Sequence, residues 1–144
     1  MGKAYDPRMH SAEHILNQTM VRMFGCGRSF STHLEKKKSK CDYHFDRNLS
    51  SEEVAEIERR ANAIIASDAP VMEEFQTKEE SLKVYNLERL PMEAGEMIRI
   101  VRIGEYDACP CIGGHVHSTK EIGQFRIIST DFKNGVLRVR FRLG

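Results

Sequence analysis

No run of about 18 apolar residues occurs in this 144-residue chain, so no membrane-spanning helix is expected. Charge of one sign is lacking too: 22 Lys and Arg stand against 21 Asp and Glu, a formal net charge of +1. Bulk attraction to a polyanion is thereby excluded, and any nucleic-acid contact must come from local patches. The first residues, Met1 to Pro7, hold no apolar signal core, so a cytoplasmic protein is expected. Cysteine is sparse, at four. In a cytosolic chain of this size, four cysteines argue for metal binding or catalysis and against a disulfide framework. Tryptophan is absent, which restricts nothing. Internal repeats, low-complexity segments and shifts in composition are also missing, so residues 1–144 read as a single domain, long enough for a hydrophobic core.

What is present alternates between two periodicities. Met9, Ile15, Leu16, Met20, Met23 and Phe24 recur at three- and four-residue spacing and predict a helix from about Arg8 to Phe24, closed by Gly25 and Gly27. Residues 28–48 read as two strands around a hydrophilic turn at Glu35–Lys40. Ser50 with Glu53 forms a capping box ahead of a helix that Asp68-Ala69-Pro70 ends. Val71–Phe75 reads as a short strand, and Thr77 with Glu80 as the cap of a helix through about Leu87. A loop over 88–96 leads to the strand Met97–Ile103, with Ile98, Ile100 and Arg102 on one face. Thr119–Gly123 reads as a turn, and Phe125–Thr130 and Val136–Leu143 as strands joined by an Asn134-Gly135 hairpin. The expected class is α+β, a two-layer sandwich with helices packed on a largely antiparallel sheet.

The chemistry gathers near the end of the chain. Cys109, Cys111, His115 and His117 fall within nine residues around Gly113-Gly114. Thiolate and neutral imidazole are the ligands that suit zinc. Cys111 with His115 supplies only two, and further ligands must come from elsewhere. His10 and His14, four residues apart on the first helix, share one face and are close enough to share one ion. The candidate set is therefore His10, His14, Cys111 and His115, with Cys109 and His117 as rivals. Four bound side chains would make a closed structural site. A loose ligand or an expanded shell would leave zinc free to activate water or polarise a carbonyl.

Two basic features stand apart from this set. Lys36, Lys37 and Lys38, with Lys40, form the densest cluster of lysines. Arg138, Arg140 and Arg142 share one face of the last strand. Each reads either as a solvated surface or as a phosphate contact.

The segments His10-Ser-Ala-Glu-His14, Cys111-Ile-Gly-Gly-His115-Val116 and Thr119-Lys-Glu-Ile-Gly123-Gln-Phe125 resemble the editing domain of the alanyl- and threonyl-tRNA synthetases, above all the free-standing alanyl-tRNA editing proteins. The resemblance spans nearly the whole chain. It implies a two-layer fold, zinc on His10, His14, Cys111 and His115, and hydrolysis of the ester joining a wrong amino acid to the acceptor end of tRNA. The implied substrate is serine, or glycine, on alanine tRNA; the threonyl branch instead removes serine from threonine tRNA. Editing in trans is expected, since 144 residues leave no room for aminoacylation. The interior Ile-Gly-Gly departs from the Cys-Gly-Gly-Thr-His of many alanyl members. Cys109 stands where the threonyl branch carries an acid, with Asp107 nearby but out of register. Backbone N–H groups at Gly113 and Gly114 are candidates for holding an oxyanion. Ser31, Thr32 and His33 are candidates for sensing a substrate hydroxyl, Thr32 being counted also among the catalytic set. A monomer or weak dimer is expected. The competing readings are a non-catalytic RNA-binding module with a structural zinc, and a zinc hydrolase of some other small ester or amide.

Overall fold

A computed structural model describes residues 6–84, 97–111 and 113–144. The first helix, α1 (Pro7–Phe24), starts on Asp6, whose side chain accepts from the Arg8 amide, with Pro7 in the first turn where no amide partner is needed. Gly25 ends it in the left-handed region, φ 67°. The next elements are β1 (Ser31–His33), β2 (Ser39–His44) and α2 (Ser51–Ala66), whose Ser50/Glu53 capping box is complete in both directions. Then come β3 (Val71–Thr77), the short α3 (Lys78–Leu82), β4 (Met97–Ile103) and β5 (Asp107–Pro110). The expected turn at Thr119 is one turn of 3-10 helix, Thr119–Ile122, with its own Ser118/Glu121 capping box. The chain closes with β6 (Phe125–Lys133) and β7 (Val136–Leu143) about an Asn134-Gly135 turn with φ of 50° and 78° at the two residues. The Thr77 cap is present, but the expected extension of its helix and the loop over 88–96 lie largely or wholly outside the described residues.

The strands form two antiparallel sheets: four strands in the order β1-β2-β7-β6, and three in the order β3-β4-β5. The α+β class is as expected. On β4, Ile98 and Ile100 are buried while Arg102 on the same pleat is exposed and paired with Glu74, and Val101 and Ile103 on the other pleat are buried as well. The main core lies between the helices and the four-stranded sheet: Ile15, Leu16 and Met20 of α1 and Ile57 and Ala61 of α2 share one cluster with Cys41, Tyr43, Leu137, Val139 and Phe141. Alternation places those last three of β7 inward and Arg138, Arg140 and Arg142 outward.

Joining the two ends of the chain requires particular clamps. The Asn62 side chain accepts from the Phe125 amide and donates to its carbonyl, which pins β6 to α2. Thr119 Oγ1 donates to the Ile64 carbonyl and accepts from the Ala69 amide. Arg8 donates to the Ile122 carbonyl at 2.8 Å, and the Val116 amide donates to Ser11 Oγ. The segment 113–122 is thus held along the first half of α1, about a hundred residues away in sequence. The fold itself meets the closure cost of so long a loop.

Candidate metal centre

The first helix is buried on more than its apolar stripe. His10, Glu13, His14 and Asn17 follow the same three- and four-residue spacing as its aliphatic residues, and each is at most 7% exposed. A second, polar stripe so deeply buried needs partners. β5 supplies them, because alternation puts Asp107 and Cys109, and Cys111 just beyond, on the side facing α1.

His10, His14, Cys111 and His115 come together, and their four ligand atoms lie within 4.8 Å of one another. Cys111 Sγ and His10 Nε2 stand 3.2 Å apart. Bonds of about 2.0–2.3 Å to a tetrahedral ion give ligand separations of roughly 3.3–3.8 Å, so a small contraction closes the shell. The imidazoles are oriented for it by what their other nitrogens do. His10 Nδ1 meets the Gly114 carbonyl at 3.1 Å. His14 Nδ1 lies 3.4 Å from Asp107 Oδ2. His115 Nδ1 is 3.2 Å from Ser11 Oγ. With each Nδ1 engaged, each Nε2 is the atom left for the centre, which is how metal-bound histidines are commonly held. His115 Nε2 is buried with no hydrogen-bond partner among the described residues. A metal ion would satisfy it, so the donor set and its surroundings fit a bound cation.

Charge follows the same design. Burial pushes the Cys111 thiol up, but the imidazoles of His10, His115 and His14 gathered around it outweigh that and bring it down to about 3. Burial lowers His14, yet Asp107, Cys109 and Cys111 together raise it well above the usual histidine range. Asp107 is raised by burial, but His14 and Arg28 carry it below the usual carboxylate range. His115 is lowered, by burial first, and then by its neighbours His14 and His10 against the opposing pull of Cys111. In protein stripped of metal the cluster thus pairs the Cys111 thiolate with the His14 imidazolium. The buried Cys41 thiol is shifted the opposite way, upward, by burial and by Glu13. A consequence is testable in chelator-treated protein. Alkylation of Cys111 by iodoacetamide is expected to keep its rate from about pH 8 down to about pH 5, where ordinary thiols slow roughly a thousandfold. Peptide mapping reads this, and a rate at Cys111 that falls tenfold per pH unit would contradict the assigned thiolate.

Of the rival ligands, Cys109 sits at the edge of the cluster beside His14, its thiol turned to the Pro110 carbonyl at 3.4 Å. The His117 side chain is exposed. Gly113 has a steric reason to be glycine: a Cβ there would overlap the His10 ring. Arg99 holds the Gly113 and Cys111 carbonyls, at 2.7 and 3.3 Å. Gly114 contributes its carbonyl to His10 and has open space around it.

The β1 trio divides by its pleat. Thr32 turns inward, donating to Glu13 Oε2 at 2.9 Å beside the histidines. Ser31 and His33 are exposed on the opposite face, His33 against Glu35, so the structure does not bring them to the centre. Lys36, Lys37 and Lys38 lie exposed in the loop between β1 and β2. Lys38, with His33, Lys40 and Arg140, borders an open groove on that side of the sheet. Two of the three arginines already have acidic partners: Arg138 chelates Asp42 at 2.8 and 3.0 Å, and Arg140 contacts Asp131. Arg142 is exposed.

Sequence reasoning gave no role to Ser11, Arg28, Ser29 or Asn17, and it placed Asp107 out of register. For Asn17 the α1 periodicity is the available signal, since Glu13 and Asn17 fall three and seven residues after His10, on the His10/His14 face.

Residues 98–139 match the family model described as "Threonyl and Alanyl tRNA synthetase second additional domain". The chain is 33% identical to an alanine–tRNA ligase of Methanopyrus kandleri over 141 residues, 95% of its own length and 15% of the relative's. It is 32% identical to that of Halorubrum lacusprofundi over 94% of its length and 15% of the relative's, and 28% identical to that of Fervidobacterium nodosum over 85% and 14%. The chain therefore spans about 15% of the length of the curated relatives it matches.

Proposed function

Starting from a chain homologous over nearly its whole length to one part of alanine–tRNA ligases, we propose that it is a zinc-dependent aminoacyl-tRNA deacylase. Its substrate is serine wrongly esterified to alanine tRNA, with glycine as the second acyl group. The observation that carries this is the convergence of one ring nitrogen each of His10, His14 and His115 with Cys111 Sγ, the His115 Nε2 being buried with no hydrogen-bond partner among the described residues, in a chain with those relatives. No helix among the described residues is long and apolar enough to cross a membrane.

An aminoacyl ester is already activated, so its hydrolysis asks for a positioned water and stabilised charge more than for a strong nucleophile. Zinc on the four side chains supplies a Lewis acid, to polarise a bound water or to hold the substrate's amino group. The chain's own residues do the rest. Thr32 reads the acyl side chain. The amides around Gly113 and Gly114, in a segment kept close to His10 by Arg99, face the developing oxyanion. Lys36, Lys37 and Lys38 take phosphates of the acceptor end, joined by Arg142 and by whatever charge Arg138 and Arg140 retain beside Asp42 and Asp131. A monomer or weak dimer working in the cytoplasm completes the reading.

A four-ligand protein shell is also what a structural zinc has, which favours a second reading, an RNA-binding module without turnover. The test is release of serine from serine-charged alanine tRNA by zinc-replete protein, with serine-charged threonine tRNA and alanine-charged alanine tRNA alongside. Release from the first, lost in Cys111→Ala, is the expected result. Release from the threonine tRNA alone would move the chain to the threonyl branch. No release from any, with zinc bound one to one, would leave the structural-zinc reading.

A further inference from the structure

The register of the four-stranded sheet gathers cations at one end of its outer face. Arg126 of β6 stands directly opposite Arg142 of β7. Their neighbours Phe125, Ile127 and Phe141 are buried, so both arginines leave the sheet on the side away from the core, and both are exposed. In the next row His33, Lys40 and Arg140 lie side by side on β1, β2 and β7. Like charges directly opposite across an antiparallel pair, their Cβ atoms roughly 5 Å apart, destabilise a sheet. An acid beside them would relieve this, yet among the described residues neither Arg126 nor Arg142 has an acidic partner. Elsewhere on the same face the cations are matched: Asp42 chelates Arg138, Asp131 contacts Arg140, and Glu35 meets His33. A chain with a net charge of only +1 has acids to place, so the unmatched pair is a local feature and not a result of basic composition. The loop carrying Lys36, Lys37 and Lys38 leaves β1 at this same end, and Lys38, Lys40 and Arg140 border the open groove there. The candidate metal centre lies on the other side, where Thr32 turns inward next to His33. Because β1 is an edge strand, a polymer leaving the centre can round it and reach the outer face.

We propose that Arg126 and Arg142, with Lys40 and Arg140, form a second RNA contact on the face of the sheet opposite the centre, taking backbone phosphates several nucleotides away from the ester. This deepens the ester-hydrolysis reading, and rests on it for the choice of RNA as the occupant. Guanidinium groups suit phosphate because they stay charged and offer paired donors. A phosphate shared by Arg126 and Arg142 turns their mutual repulsion into attraction for one anion. From β1 to β6 the band is three strand spacings wide, roughly 14 Å. One strand of a duplex carries a phosphate about every 3.4 Å along its axis, so the band accommodates a few of them. Arg138, held by Asp42, marks where it ends. The face supplies affinity and register and takes no part at the ester, so its loss is felt in binding and KM and not in kcat.

The experiment measures binding of alanine tRNA ending in the unreactive 3′-serylamino-adenosine to zinc-loaded protein over a range of salt. The variants are Arg126→Gln, Arg142→Gln, the two combined, and Lys133→Gln, which removes one exposed charge from the far end of β6. The double variant is expected to bind about tenfold more weakly at about 0.1 M salt, and its slope of log affinity against log salt to fall by about 1.5–2. Lys133→Gln is expected to stay within about twofold of the parent, since it lies well beyond the screening length. Turnover of serine-charged alanine tRNA at saturation is expected to keep its kcat. The thermal midpoint of the double variant is expected to equal or exceed that of the parent, because a like-charge pair has gone, which separates a lost contact from a lost fold. Hydroxyl-radical footprinting is expected to show protection of the RNA backbone lost away from the 3′ end and kept at it. Unchanged affinity and salt slope in the double variant, an equal loss in Lys133→Gln, or a fall in kcat at saturation would each overturn the inference while leaving hydrolysis intact. Salt-dependent RNA binding that needs these arginines, in a parent that releases no serine, would overturn the hydrolysis reading and leave this surface standing.

Discussion

Zinc is expected to raise the thermal midpoint of chelator-treated protein by about 10 °C, and Cys111→Ala to abolish that rise. The size follows from linkage. A ligand at about a thousandfold its dissociation constant adds roughly 4 kcal/mol, and a domain of this length gains about 2–4 °C per kcal/mol. The site is preformed: Ser11, Asp107 and the Gly114 carbonyl already hold the three rings, so little ordering is left to the ion. The metal-free cluster is also uncomfortable. His115 Nε2 is buried with no hydrogen-bond partner among the described residues, and His14 and His10 lower His115 by their charge. An ion removes both costs at once. Cys111→Ala takes away the thiolate that balances the charge on His14, so the variant should lose zinc and begin from a lower midpoint than the parent. Differential scanning calorimetry at matched protein concentration reads both effects. Equal midpoints with and without zinc in the parent would show that the four side chains form a hydrogen-bonded cluster that does not take the ion.

The sequence carried this ligand set and most of the scaffold, and the reasons are local. Capping residues such as Ser50 with Glu53, the Asn134-Gly135 turn and the alternation of β7 each specify their element within a few residues. His10 and His14 declare themselves by helical spacing. Four features were not legible, and each depends on how separate elements meet. The division into two sheets is set by which strands meet, not by the strands' own patterns. Asp107 looks out of register when counted along the chain toward Cys111. Once β5 lies against α1, the pleat turns it toward His14. Ser31 and His33 neighbour Thr32 in sequence, yet the same pleat sends them to the other face of β1. The charged face of β7 was legible as a row. That Asp42 and Asp131 stand opposite Arg138 in the register of the sheet was not.

Asp107→Asn is expected to weaken zinc binding by about 10- to 100-fold, the usual effect of removing the group that orients a histidine ligand. Asp107 is 4% exposed; its Oδ1 accepts from Arg28 Nη1 at 2.8 Å, and its Oδ2 accepts from Arg28 Nη2 at 3.2 Å while standing 3.4 Å from His14 Nδ1. A carboxylate accepts from both. A carboxamide has one acceptor, and Arg28, a permanent cation with only donors, keeps the shorter of its two bonds on it and loses the other. The amide NH2 then faces His14 Nδ1 and donates into it, forcing the proton onto Nε2, the atom needed for the ion. Arg28 NH2 already stands 3.5 Å from that Nδ1 and presses toward the same wrong tautomer once the negative charge is gone. The folded protein should also lose about 2–3 kcal/mol, because a largely enclosed guanidinium is left without its anion. Arg28→Gln separates the two effects. It removes the cation but leaves the carboxylate free to hold His14, so its zinc affinity is expected to stay within about threefold of the parent. Competition against a chelator of known affinity measures binding, and urea denaturation of the metal-free proteins measures stability. If both variants lose zinc affinity equally, Asp107 acts through general packing and not through the His14 proton.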